Sequence, residues 1–258
     1  THKSPVGAFS KFGKSFPFRF GGWINAVIPM IIVPYYSVIG GWVIKYLFEY
    51  LKGNSAALAA DDYFSNFIAS SGTAEFWFLI FSALVFIVIL AGVKNGVELV
   101  SKIMMPVLVL LAIFVAGYSV TRPGAMEGVK YFLIPNFETF SPMTVVAAMG
   151  QMFYSLSIAM GILYTYGSYL GKEVDIEEST KQVEIFDTAI ALLAGLMIIP
   201  AVFAFSGGAP ETLQAGPSLM FITLPKVFAS MGFGGIAGFA FFLLVLLAAL
   251  TSAISLME

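Results

Sequence analysis

Residues 149–169 carry no charged side chain, yet their middle holds Ser155, Ser157 and Gly161, with Gln151 one turn earlier. A helix crossing lipid must bond every backbone group internally, because hydrocarbon offers no replacement for water. Small and polar residues at mid-span favour a local unwinding. The carbonyls and half-helix ends released there can hold cations and small charged solutes at membrane depth. Gln151, Ser155 and Ser157 would add side-chain oxygens at the same depth. The same residues also suit an unbroken helix whose small side chains pack against a neighbour.

Two other places could do related chemistry. Nearly all of the 15 acidic residues lie in polar stretches, but Asp187 stands one residue before an uninterrupted apolar run. It reads either as an oxygen ligand for a hard cation, a buried carboxylate needing a partner, or as a first-turn carboxylate favoured by the helix dipole, a role Glu184 could also fill. Thr251 and Ser252 sit deep in the last apolar stretch beside Ala248. They offer two hydroxyls to a cation, or bond back to the carbonyls of the preceding turn.

Soluble-enzyme chemistry has little to stand on, and no catalytic residue is assigned. The one histidine is His2, which removes a histidine base and a histidine zinc site. No nucleophile elbow or phosphate loop is present. The stretch Gly232 to Ala237 matches a loose dinucleotide fingerprint outside any βαβ context, and reads better as a flexible approach to the last apolar stretch. With no cysteine, disulfides are excluded; with no basic tract interleaved with aromatics, nucleic-acid binding has no support.

The elements that must position these residues are membrane helices. Mean hydropathy is +0.92. Hydrophobic residues make up 59% of the chain and charged residues 11%, against about 25% charged in soluble domains. Six stretches, Phe20–Ile44, Phe76–Val93, Ile103–Thr121, Met143–Gly171, Thr188–Pro210 and Gly232–Met257, are free of charge and long enough to span roughly 30 Å of hydrocarbon. An all-α bundle of six transmembrane helices in one domain over residues 1–258 is expected. The side holding both ends carries eight Lys and Arg residues and the other side five, which places both ends in the cytoplasm. Pro29, Pro34, Pro106 and Pro200 interrupt the spans, where neighbours must satisfy the freed groups. The stretch Glu211–Met231 is rich in Gly, Pro and Ser but contains the apolar run Leu219–Leu224. It is expected to dip back into the protein as a lid over a cavity.

Several motifs in order resemble one family. They are Trp23 to Trp42 with the Tyr35-Tyr36 pair, Gly128 to Phe137, Gly150 to Ser157, Tyr164 to Tyr169, Asp187-Thr188, Gly216 to Pro225 and Leu250 to Ser252. Together they resemble the neurotransmitter:sodium symporter family, of the bacterial amino-acid-transporting type. The likeness runs over essentially the whole chain and corresponds to helices three to eight of the family's inverted-repeat fold. It implies a piece of a longer transporter, without the first two helices and the last ones.

The resemblance also implies roles. Tyr36 matches the tyrosine that binds the substrate carboxylate. Tyr154 matches the aromatic lid, where the family usually has phenylalanine. Ser155 and Asp187 match the first sodium site; Ala248, by its carbonyl, with Thr251 and Ser252, matches the second. Ile32, Ser157, Met160 and Leu256 match the pocket around the substrate side chain, with Ser252 close to it. Chloride-dependent members hold the anion with asparagine and serine at the positions of Asp187 and Ala191. A carboxylate here should replace chloride, so sodium is the expected ion and chloride is not. Met160, a flexible thioether where many relatives have phenylalanine, suits several apolar side chains.

The expected function is sodium-coupled symport of hydrophobic or aromatic amino acids across the inner membrane, by alternating access in the longer protein. Two rivals remain at this stage: a proton-coupled amino-acid permease, and a non-transporting membrane scaffold or regulatory subunit.

Overall fold

A computed structural model describes residues 3–138, 140–208 and 216–258. His2 and the first residues of the Glu211–Met231 stretch lie outside the described residues. Among those described, every regular element is helical: α1 (Pro5–Phe12), α2 (Phe16–Leu51), α3 (Ser55–Leu58), α4 (Tyr63–Ala69), α5 (Ser71–Leu90), α6 (Leu99–Val120), α7 (Ala125–Leu133), α8 (Pro142–Ser155), α9 (Ile162–Tyr169), α10 (Ile176–Ser206), α11 (Leu224–Ala229) and α12 (Gly234–Met257). Two π-helical segments, Val93–Glu98 and Leu219–Thr223, lead into α6 and α11.

Among the described residues, five helices are long and apolar enough to cross a membrane: α2, α5, α6 with the end of its π segment, α10 and α12. The sixth expected span is not one helix but two, α8 and α9, with an irregular stretch between them. Ends differ too. The 36 residues of α2 extend about 54 Å at 1.5 Å per residue, well past a hydrocarbon core, because Arg19 and Lys45 to Leu51 continue the helix outside it.

The chain divides into two compact units. One comprises Ser37–Pro135 and Ile190–Thr251. Its centre is aromatic: Tyr46, Phe221 and Phe242 are almost fully buried. Tyr46 stacks on Phe242 at 5.2 Å, and Phe64 on Phe221 at 5.3 Å. Such pairs add to the area they bury. Tyr46 also donates to the Phe221 carbonyl at 2.8 Å, and Ser119 to the Met197 carbonyl at 2.7 Å. The apolar run Leu219–Leu224 does turn into the protein, with Phe221 and Leu224 buried and the rest half-buried, but it is built into this core and not laid over a cavity as a lid. At the start of α12, a Cβ on Gly234 would collide with the Phe228 carbonyl oxygen, so the chain approaches closely at that residue. Near the end of α2, Glu49 accepts from Lys45 at 2.5 Å and from Asn54 at 2.6 Å, which occupies both carboxylate oxygens.

The other unit comprises Thr1–Tyr36, Asn136–Ala189 and Ser252–Glu258. It contains α1, α8 and α9 and the ends of three long helices, and it holds the broken span. Ser4 caps α1 by accepting from the Gly7 amide at 3.3 Å.

Candidate functional site

The broken span begins firmly. Ser141 and Thr144 form a capping box at the start of α8 and Pro142 occupies its first turn, where a missing N–H costs nothing. The helix then stops at Ser155. Beyond it, the Leu156 amide donates to Met152 at 3.0 Å, Ser157 to Tyr154 at 3.2 Å and Ile158 to Phe153 at 2.9 Å, so the last turn widens before the chain leaves the helix. Ser157 and Ala159 have φ of 54° and 64°, and Gly161 has φ of 77°. Left-handed backbone at a non-glycine residue costs on the order of 1–3 kcal/mol and persists only when its surroundings enforce it. Helix resumes at Ile162, with the Tyr164 and Thr165 amides both bonded to the Gly161 carbonyl at 3.1 Å. The local unwinding expected at Ser155, Ser157 and Gly161 is present, and the unbroken-helix alternative falls.

At the end of α8 the Ser155 hydroxyl donates to Asp187 Oδ1 at 2.5 Å, a length typical of a bond to a carboxylate. Asp187 itself lies well inside α10. The first turn of that helix holds Glu177 and Glu178, which overturns the first-turn reading of Asp187. A hydroxyl and a carboxylate oxygen so close together, beside released backbone, are the donor set a hard cation selects.

The remaining candidates are placed as follows. Tyr154, in the last turn of α8, is exposed. Tyr36, Ile32 and Ser157 are half-buried. Met160 and Leu256 line one cavity of about 460 Å³, together with Asn25, Pro29, Val33 and Gly161; Ile32 and Ser157 lie outside that lining. On α12, Thr251 is buried and Ser252 exposed. The Thr251 hydroxyl bonds back to the carbonyls of Leu247 at 3.1 Å and Ala248 at 3.0 Å. This is the back-bonded geometry, and it also sets the hydroxyl beside the Ala248 carbonyl.

Two features were missed in the sequence. Asn25, only 6% exposed, donates from Nδ2 to the Gly21 carbonyl at 2.9 Å and accepts at Oδ1 from the Gly161 amide at 3.2 Å. A lone amide in the apolar stretch Phe20–Ile44 was the signal available. In addition, Tyr166 pairs with Ser255 at 2.8 Å and Tyr169 donates to Glu258 at 2.7 Å. The matching three-residue spacing of the two pairs could have suggested them.

Comparison with known proteins places this geometry in context. The model of the sodium:neurotransmitter symporter family matches residues 57–258. Sodium-dependent transporter YhdH of Bacillus subtilis (strain 168) is 39% identical over 240 residues, covering 92% of this chain and 52% of that protein. A sodium-dependent transporter of Methanocaldococcus jannaschii is 30% identical over 274 residues, covering 100% of this chain and 55% of its own length. The crystal structure of MhsT in complex with L-phenylalanine superposes with a TM-score of 0.87 at 38% identity, covering 100% of this chain and 58% of that one. The chain spans about half the length of the curated relatives it matches.

Proposed function

Since this chain belongs to the sodium:neurotransmitter symporter family, we propose that it forms part of a sodium-coupled symporter for hydrophobic or aromatic amino acids. The observation that carries this reading is the break between α8 and α9, with the Ser155 hydroxyl 2.5 Å from Asp187. The proposed membrane is the cytoplasmic one, with both ends of the chain on its inner side.

The roles proposed are those that the family resemblance implies for each position. The Tyr36 hydroxyl donates to the substrate carboxylate, and the Tyr154 ring covers the substrate. Ser155 and Asp187 coordinate one sodium next to that carboxylate; the Ala248 carbonyl, with Thr251 and Ser252, coordinates a second along one turn of α12. Ile32, Ser157, Met160 and Leu256 face the substrate side chain. Sodium and substrate binding together favour the closed state of the outer gate, so each ion drives uptake through its differential affinity. Asp187 supplies the negative charge that would otherwise come from chloride. The phenylalanine in the related crystal structure is that protein's ligand, and its size suits a wall made of Met160 and Leu256.

The test is equilibrium binding of L-phenylalanine to the intact transporter, with sodium replaced by N-methylglucamine at constant pH. Binding should depend on sodium, and glutamate and lysine should fail to compete, because an unpaired buried charge is costly. Binding that ignores sodium and follows pH would make the protein a proton-coupled permease instead.

A further inference from the structure

The stretch between α8 and α9 is strained at Ser157 and Ala159, so something outside it must hold it in place. One residue meets it with both side chain and main chain. Asn25 Oδ1 accepts from the Gly161 amide at 3.2 Å, and the Asn25 carbonyl oxygen stands 2.9 Å from where a Cβ on Gly161 would be. Gly161 also has φ of 77°, so only glycine lets the break lie this close to α2. The orientation of the carboxamide is fixed by its partners. Gly21 offers a carbonyl and Gly161 an N–H, so Nδ2 must face the first and Oδ1 the second. An amide hydrogen released inside a membrane protein finds no water to replace its helical partner. An oxygen at the beginning of α9 also faces the positive end of that half-helix.

We propose that Asn25 is a positioning residue that fastens the break. By holding Gly161 it fixes the adjoining Met160 in the wall of the cavity that Asn25, Met160 and Leu256 share. The fastening stands on geometry alone; its effect on substrate rests on the reading of Met160 as a pocket residue.

The experiment uses two variants of the intact transporter, with hydrogen–deuterium exchange across 156–165 and L-phenylalanine binding as readouts. Asn25→Leu keeps the bulk but removes the acceptor. Asn25→Asp, in its protonated form, keeps an oxygen toward the Gly161 amide and an O–H toward the Gly21 carbonyl. In Asn25→Leu the Gly161 amide should exchange about tenfold faster or more, the scale of one lost buried hydrogen bond, while α5 and α6 keep their protection. Phenylalanine affinity should fall by a similar factor with its sodium dependence retained. Asn25→Asp should stay close to the original protein in exchange. Unchanged exchange at Gly161 in Asn25→Leu, or exchange raised equally in α5 and α6, overturns the proposal. If Asn25→Leu does not fold, Asn25→Ala, which also removes the acceptor, decides in its place: faster exchange at Gly161 supports the fastening and unchanged exchange refutes it. Should the original protein not bind phenylalanine at all, the functional reading fails, while the exchange comparison still judges Asn25.

Discussion

The unit built from Ser37–Pro135 and Ile190–Thr251 and the unit built from Thr1–Tyr36, Asn136–Ala189 and Ser252–Glu258 use polar groups in opposite ways. In the first, the Tyr46 and Ser119 hydroxyls close on the backbone carbonyls of Phe221 and Met197 inside a buried core. In the second, no residue of α8 or α9 is buried, three left-handed residues fall within 157–161, and a carboxylate meets a hydroxyl at 2.5 Å. The contrast teaches that oxygen ligands become available where helical regularity is given up, and that such a place needs external fastening. Aromatic packing fills the centre of the first unit; the second unit carries most of the candidate binding residues.

The contrast can be broken most forcefully by truncation. Phe242→Ala empties the centre of the aromatic core and should cost about 3–5 kcal/mol of stability, measured by thermal unfolding in detergent. Phe153→Ala, at a ring 44% exposed, should cost under about 1 kcal/mol. Equal losses at the two sites would erase the distinction.

Next in size is Thr251→Val, which keeps the shape of the side chain and removes its oxygen. If that hydroxyl serves a cation as well as the Leu247 and Ala248 carbonyls, the sodium concentration needed for half-maximal phenylalanine binding should rise about tenfold, roughly the 1.4 kcal/mol of one polar contact. A shift in melting temperature with no change in sodium response would leave the hydroxyl a structural one.

The smallest effect sharpens the picture of the first unit's surface. Lys226 pairs with Asp61, and this hydrogen bond and charge hold the Asp61 carboxyl below its usual range. With a depressed folded value, the pair contributes at neutral pH and above the ordinary carboxylate range near ~3.9, and fades as pH falls through the folded value. Lys226→Met should therefore move the Asp61 titration upward in an NMR measurement and leave sodium-dependent binding unchanged.

Much of this was readable beforehand. Absence of charge located the spans, and Ser155, Ser157 and Gly161 marked the break, because hydrocarbon punishes polar groups that have no local use. Helix ends were less legible. The apolar run that begins at Thr188 is only the charge-free part of α10. The helix starts at Ile176, where Asp175 accepts from the Glu177 amide at 2.8 Å, and Lys181 bonds to Glu177 at 2.7 Å. Hydropathy stops at the lipid boundary while capping and ion pairs carry the helix on, so Asp187 was expected near a terminus and lies mid-helix. The role of Asn25 was hidden for another reason. A single amide in an apolar stretch shows no periodicity, and its partner Gly161 is 136 residues away. Likewise, the run Leu219–Leu224 announced burial, but nothing in it announced Tyr46.

The charge at Asp187 is tested most directly by measuring sodium-driven phenylalanine transport in the intact protein with chloride replaced by gluconate. Transport should be nearly unchanged if Asp187 has the proposed role, in which its carboxylate compensates the sodium charge in a medium of low dielectric. Asp187→Asn combined with Ala191→Ser should then make transport depend on chloride, since the pair removes the charge and restores a hydroxyl four residues along α10. A chloride requirement in the unaltered protein would contradict the assignment of Asp187 as the resident anion.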